Sequence, residues 1–253
     1  MSKEFEGKVV LVTGGSSGIG RETAIAFGRQ GAKVAVTSRR EKEGLETVEL
    51  IKAAGGEGLY LQSDVSQEEQ IKEAVARVIS YFGSLDCAFN NAGVEEEPGP
   101  YLDKTQSDFD RVFNINVKGV WLSMKYEIPE MLKHGKGSIV NMSSIAGLIG
   151  MGMVTIYIAS KHAVTGFTKS AALEYAKSGI RINEVNPGGI KTEMFERFSK
   201  GNQDFVKMME GLHPMGRLGE PLEIAEAVLW LSSDKASFVT GHSLVIDGGF
   251  VAA

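Results

Sequence analysis

Seven short apolar runs, rich in β-branched residues and separated by longer amphipathic stretches, set the rhythm of this 253-residue chain. The runs are Val9–Val12, Lys33–Thr37, Gly58–Leu61, Leu85–Asn90, Ser138–Met142, Ile180–Asn186 and Ser243–Ile246. Continuous apolar strands of this kind belong to a parallel sheet covered on both faces. Helical patterns fall between them, at 18–30, 41–54, 67–82, 105–133, 157–178 and 221–232. In the last, Pro221 suits a first-turn position, and Ile224, Val228 and Leu231 share one face. Strand then helix, repeated, implies right-handed crossovers and a doubly wound α/β sheet of seven parallel strands with helices on both faces. Residues 1–253 read as a single domain, because no linker, repeat or long charge run divides them. A stretch rich in Met and Phe at about 192–212 breaks the rhythm and reads as an insertion.

The net charge of −5 argues against nucleic acid or an anionic membrane as partner, since phosphates are met with clustered Lys and Arg. Cys87 is the one cysteine, so no internal disulfide forms and a reducing, cytoplasmic setting is expected. No apolar core follows the charged start Met1–Lys8, so no signal peptide is expected. Gly137–Ser160 is uncharged and long enough to suggest a membrane helix. It contains Asn141, Ser143, Ser144, Thr155 and four glycines, and reads better as a strand, a loop and the start of a helix. No metal site is expected.

The first run leads into Thr13-Gly14-Gly15-Ser16-Ser17-Gly18-Ile19-Gly20. Glycines here permit a tight turn, close approach to a pyrophosphate and close helix–strand packing. The helix N-terminus adds unpaired N–H groups and the positive end of a dipole. Gly14, Ser16, Ser17, Gly18, Ile19 and Gly20 are therefore candidate phosphate-binding positions of a Rossmann-type fold. A dinucleotide site commonly places an acid about 20 residues further on, for the ribose 2′-hydroxyl. Here the second run ends in Ser38-Arg39-Arg40 instead. An arginine attracts a 2′-phosphate, with a charge-assisted hydrogen bond worth about 1.5–3 kcal/mol. NADP(H) is thus expected in preference to NAD(H). The plain alternative is a solvated Arg39–Arg40 pair at a helix start.

Tyr157 and Lys161 stand four apart on a helical pattern and share a face. A nearby ammonium favours the phenolate, which suits a general acid or base. Ser144 lies thirteen residues before Tyr157, where a loop can bring its hydroxyl beside the phenol; Ser143 competes for that place. Asn90-Asn91-Ala92-Gly93 reads as a turn. Asp64-Val65 closes the third run, with Asp64 also readable as a helix N-cap followed by Glu68.

T-G-x-x-x-G-x-G at Thr13–Gly20, Asn116, Ser144 and the Tyr157/Lys161 pair together resemble the short-chain dehydrogenase/reductase family, in order and approximate spacing. The resemblance runs to Val239-Thr240-Gly241 and Asp247-Gly248-Gly249, and so covers essentially the whole chain. It implies a hydride transfer between nicotinamide and a carbonyl or alcohol. It makes Tyr157 the acid or base, Ser144 the hydrogen-bond partner of the same oxygen, and Lys161 the group that depresses the Tyr pKa and binds the nicotinamide ribose. Asn116 would hold a water linking Lys161 to solvent. Asp64 and Val65 would contact the adenine, and Asn91, Ala92 and Gly93 would lie beside the cofactor. Pro187, Gly188, Ile190 and Thr192 look like the family's P-G-x-x-x-T segment at the nicotinamide carboxamide. Ser17 departs from the basic residue that many NADP-dependent relatives carry in the loop. Glu184 departs from the small residue usual at its strand position.

Substrate is read less sharply. Met194, Phe195, Phe198, Phe205, Met208, Met209 and Leu212 suit a lid over an apolar substrate, and equally the packing of two short helices. Leu148, Ile149, Met151, Met153 and Val154 add apolar surface, and Glu95-Glu96-Glu97 reads as a solvated loop. A small-molecule ketone or alcohol is the expected partner. A 3-oxoacyl thioester or a sugar is the alternative, although Gly135 and Leu173 occupy the positions aligned with the arginines that dock acyl-carrier protein in cousins. A non-catalytic NADP-sensing scaffold is the reading from another class. The resemblance implies a homotetramer, or a dimer, for which Phe113, Trp121, Met124, Phe167 and Leu173 supply apolar surface, although core packing explains the same residues.

Overall fold

The computed structural model describes residues 3–252. Seven parallel strands form one sheet in the order β3-β2-β1-β4-β5-β6-β7. They are β1 Val9–Thr13, β2 Lys33–Ser38, β3 Glu57–Gln62, β4 Cys87–Asn90, β5 Gly137–Met142, β6 Ile180–Pro187 and β7 Ser243–Ile246. The strand order reverses between β1 and β4, which opens a crevice beyond their carboxyl ends.

Successive side chains of a strand point to opposite faces, so an all-apolar strand feeds two cores. Val10, Val12, Val34 and Val36 pack with Phe27 of α1 (Gly18–Arg29) and with Ile224, Val228 and Leu231 of α9 (Pro221–Ser232). Val9, Leu11, Ala35 and Ile139 pack on the other face. There they meet Val75 and Val78 of α3 (Glu68–Phe82), Met124 and Ile128 of α5 (Gly119–Leu132) and Val164 of α6 (Thr155–Tyr175). Helix α2 spans Glu41–Ala53 beside β3. Pro221 takes the first turn of α9, behind a reciprocal cap between Glu220 and Glu223.

The pattern expected as one helix over 105–133 is broken. Helix α4 (Gln106–Phe113) starts from a Thr105–Asp108 capping box and runs into a π turn at Asn114–Lys118 before α5 begins. A π turn adds one residue to a turn. The irregular 192–212 stretch forms two short helices, α7 (Glu193–Ser199) and α8 (Gln203–Gly211). Their reversal lies at Lys200 and Gly201, both at positive φ. Gly137–Ser160 forms β5, a single 3-10 turn at Ile145–Gly147 and the start of α6. Among the described residues no helix is long and apolar enough to cross a membrane.

Candidate active site

The carboxyl ends of the strands surround a cleft of about 620 Å³. Its first wall is the β1–α1 turn. A Cβ on Gly14 (φ +66°) would stand 2.7 Å from Ala92 Cα, so glycine lets this turn seat on the Asn90–Gly93 segment. Asn91 Nδ2 donates to the carbonyls of Thr13 and Gly14 (3.1 and 3.0 Å), and Thr13 Oγ1 accepts from the N–H groups of Asn91 and Ala92. Asn91 is thus a stitch between two loops. Gly20 lies outside the cleft lining: a side chain there would strike Gly14 O at 2.5 Å, so its role is packing. The Ser17 side chain makes no cap bond to α1, leaving the first N–H groups of that helix facing the cleft.

The two arginines part company. Arg40 Nη2 donates to Ser17 Oγ at 2.6 Å and to Ser16 Oγ at 3.2 Å, and its Nη1 donates to Glu193 Oε2 at 3.3 Å. It is not the freely solvated residue of the plain alternative. Arg39 is exposed and lines the cleft mouth. Asp64 and Val65 also line it. Asp64 does not cap α3, whose N-cap is Gln67; its Oδ1 accepts from Ser66 N instead, at 2.9 Å.

Ser144, Tyr157 and Lys161 meet at the cleft floor. Ser144 opens the 3-10 turn and accepts from Ala146 N at 3.1 Å. Its competitor Ser143 is buried and donates to Lys161 O at 3.3 Å. Lys161 lies 5.5 Å from the Tyr157 ring centroid. Burial pushes the Tyr157 phenol up to about 12, while a hydrogen bond with Ser144 pulls it down. The Lys161 ammonium is itself buried, donates to Met142 O at 2.9 Å, and is pushed down to about 8.

Asn116 does not reach the cleft. The π turn aims it inward, where it is fully buried. Its amide closes a reciprocal pair with the Val94 backbone (2.8 and 2.9 Å) and donates to Ser160 Oγ at 3.3 Å. A Cβ on Gly93 would contact both Asn116 Oδ1 (3.3 Å) and Lys161 Nζ (3.9 Å), so amide and ammonium flank the same glycine.

Glu95–Glu97 is not a solvated loop. Glu96 is buried; its Oε2 accepts from Tyr157 N at 2.7 Å, and its Oε1 pairs with Lys104 at 2.7 Å, an ion pair without aligned hydrogen-bond geometry. Helix α6 has no side-chain cap of its own and no acid in its first turn. Glu96 fills that gap from a distant loop. Glu95 accepts from Arg197 of α7 at 3.0 Å; burial raises its carboxyl, yet Arg197 holds it below its ordinary value overall. Glu97 pairs with Lys200 at the end of α7. The acidic triplet therefore straps α7 to the site.

Pro187, Gly188, Ile190 and Thr192 form the opposite wall. Thr192 caps α7 by accepting from Phe195 N at 3.2 Å. His213, which the sequence did not flag, accepts from Gly189 N at Nε2 (2.9 Å) and donates from Nδ1 to Met209 O (2.7 Å). This fixes its tautomer and ties α8 to that wall. Met194, Phe195, Phe198 and Met209 line the cleft, with Val94, Ile115, Met151 and Val154 across from them. Phe205 packs instead on Phe195 and Phe198, and Met208, Leu212, Leu148 and Met153 are exposed.

Comparison with known proteins bears on this arrangement. The family model described as enoyl-(acyl carrier protein) reductase matches residues 14–251. Cyclohexanol dehydrogenase of Acinetobacter sp. (strain SE19) is 44% identical over 252 residues, which is 100% of this chain and 98% of that protein. A solved short-chain type dehydrogenase/reductase from Mycobacterium marinum superposes with a TM-score of 0.94 at 34% identity, covering 100% of this chain and 98% of that one. The chain is a short-chain dehydrogenase/reductase. The family binds a nicotinamide cofactor. A structure described as ElxO with NADP bound matches this short-chain dehydrogenase/reductase with a TM-score of 0.92 at 37% identity, over 97% of this chain and 99% of that one.

Proposed function

We propose that this short-chain dehydrogenase/reductase interconverts an apolar ketone and its secondary alcohol with NADP(H). The observation that carries the reading is the meeting of Ser144, Tyr157 and Lys161 on the floor of a cleft lined by Arg39 and Arg40 in one part and, in another, by Val94, Ile115, Met194, Phe195, Phe198 and Met209 beside the Glu95–Arg197 pair. The cradle suits a dinucleotide: Gly14 and Gly18 take positive φ, and a Cβ on Gly18 would crowd Thr192 at 3.3 Å. Gly14, Ser16, Ser17, Gly18 and Ile19 would hold the pyrophosphate. Asp64, Val65, Ala92 and Gly93 would flank the adenine half, and Pro187, Gly188, Ile190 and Thr192 the nicotinamide. Ser38, Arg39 and Arg40, with no acid at the end of β2, favour the 2′-phosphate form.

The bound nicotinamide supplies the hydride for reduction and takes it in oxidation. Tyr157, a neutral phenol at neutral pH, donates its proton to the carbonyl oxygen. Ser144 hydrogen-bonds the same oxygen as charge develops on it. Lys161 offers its ammonium to the phenolate left behind. Asn116 braces the Val94 loop beside Lys161 and stands where a water could pass a proton on. Helix α7, strapped by Glu95 and Glu97, and helix α8, tied by His213, act as the lid that excludes water. Cyclohexanol dehydrogenase supports an alicyclic or similarly compact apolar substrate. An acyl-carrier-protein thioester fits less well: Leu173 is 82% exposed where cousins carry a docking arginine.

The test is absorbance loss from NADPH, and separately NADH, against cyclohexanone, bulky aromatic ketones, a ketose and an acetoacetyl thioester. Consumption of NADPH with the alicyclic or aromatic ketones is the expected result. Turnover confined to the thioester or the ketose would replace the substrate class. Tight NADPH binding with no turnover of any ketone, and no oxidation of cyclohexanol, would favour the sensor reading.

A further inference from the structure

Strand β6 carries a glutamate in a place where both neighbouring strands present small polar groups. Glu184 lies opposite Asn141 of β5 and Ser243 of β7 and is completely buried. Its Oε1 accepts from Thr165 Oγ1 at 2.8 Å, Ser243 Oγ at 2.8 Å and Asn186 Nδ2 at 3.2 Å. Three donors thus converge on one carboxyl oxygen, which can act there only as an acceptor. The other oxygen, Oε2, has no hydrogen-bond partner among the described residues. A buried, incompletely bonded carboxylate is costly unless an opposite charge shares its interior.

That charge is Lys161. It is 4% exposed, and it donates to the carbonyl of Met142, the residue after Glu184's partner in β5. Among the described residues the ammonium donates to Met142 O and not to Glu184, so the attraction acts across the interior, where low dielectric preserves it. Burial is the main influence on the ammonium and pulls it down; Glu184 opposes that effect. The other titratable group facing Lys161 is Tyr157 on its own helix, beneath Glu96 at the first turn. Strand β5, the Asn90–Val94 loop and the π turn bring carbonyls, amides and hydroxyls, and His242 ahead of β7 is exposed.

The donors to Glu184 have second partners, and these lie in the catalytic turns. Asn186 Nδ2 also donates to Ser144 O at 2.9 Å. Thr165 Oγ1 lies 3.3 Å from Lys161 O and 3.5 Å from Ser143 Oγ. We propose that Glu184 is a positioning residue: it holds the buried counter-charge of Lys161 and, through Asn186 and Thr165, anchors the Ser144 and Lys161 turns against each other. Its catalytic half rests on the function proposed above; its electrostatic half does not.

The experiment follows the lysine ε-carbon resonances of the full-length, cofactor-free protein by ¹³C NMR through a pH titration, with Lys161→Met assigning the signal. Glu184→Gln keeps the shape and one acceptor oxygen but removes the charge. The Lys161 midpoint is expected to fall by about one pH unit or more, and Glu184→Asp to restore most of it. Should Glu184→Gln not fold, Glu184→Ala makes the same comparison. An unchanged midpoint overturns the counter-charge. With the ketone that proves to be turned over, the kcat–pH profile should move with the midpoint while KM stays constant; a moved midpoint with an unmoved profile overturns the positioning role. The titration needs no turnover, so a failed ketone assay leaves it readable.

Discussion

Glu127 offers a test of how this interior handles charge. It lies in α5 with no exposed surface; Asn90 Nδ2 donates to its Oε2 at 3.0 Å, and its Oε1 has no partner. Burial pushes its carboxyl from the ordinary 4.5 up to about 7, with Asn90 pulling weakly the other way. Below pH 4.5 the group is protonated both folded and unfolded and contributes no pH dependence. Between there and about 7 the unfolded chain releases the proton first, so stability falls as pH rises. Above 7 the full penalty is in place. At about 1.36 kcal/mol per pH unit, that penalty is about 3 kcal/mol. Glu127→Gln removes the titration and keeps the shape. Urea unfolding of both proteins at about pH 5 and about pH 8 gives two stability differences. Because part of the penalty is already present at about pH 5, the variant should gain about 2–3 kcal/mol relative to the wild type between the two conditions. Any fixed cost of the amide cancels in that comparison. Equal differences at both pH values would refute the reasoning, because they would mean that Glu127 ionises in the fold as readily as in the unfolded chain.

Four further outcomes are expected. Tyr157→Phe should lower kcat by about 10²–10⁴-fold while leaving NADPH binding, followed by nucleotide fluorescence, unchanged. Arg40→Ala and Arg39→Ala should each weaken NADPH binding by about tenfold and NADH binding less, measured by calorimetry; a variant with an unchanged NADPH/NADH ratio would remove its arginine from the 2′-phosphate site. Glu96→Ala takes the counter-charge from Lys104, leaving it the Glu97 carbonyl, and the acceptor from the first turn of α6, and should cost about 3 kcal/mol in denaturant unfolding. Light scattering should give a tetramer or dimer, with Trp121 and Leu173, 43% and 82% exposed, at the contact; a monomer would return those residues to simple solvent exposure.

Much of the fold was legible because parallel strands need continuous apolar runs and the helices between them need amphipathic ones. Val9–Val12 and Ile180–Asn186 are plain on that basis. The π turn was not, since a single extra residue in Asn114–Lys118 leaves no mark on an eight-to-fourteen-residue amphipathic pattern on either side. Within the site, short spacings placed Tyr157 against Lys161 and Ser144 near both. Long-range polar partners were opaque. Glu96 looked like one of three solvated acids, and only the fold carries it to Tyr157 N, 61 residues away. His213 had no motif around it, and its bonds to Gly189 and Met209 exist because α8 folds back over the Pro187–Thr192 wall. Arg39 and Arg40 were readable as a pair, but which of them spans Ser16, Ser17 and Glu193 depends on backbone direction at the end of β2.

The π turn also fixes what lengths this segment tolerates. Helix α5 buries Val120, Leu122, Met124, Ile128 and Met131. Deleting one residue from Asn114–Lys118 would restore an unbroken helix from α4 onward, an apparent local improvement. It would also rotate everything downstream by about 100° relative to α4, turning that apolar stripe away from the sheet and swinging Asn116 from beside Lys161. The segment is therefore length-locked: substitutions can accumulate on its exposed side, but insertions and deletions cannot, and the fault they produce would be in phase rather than in composition.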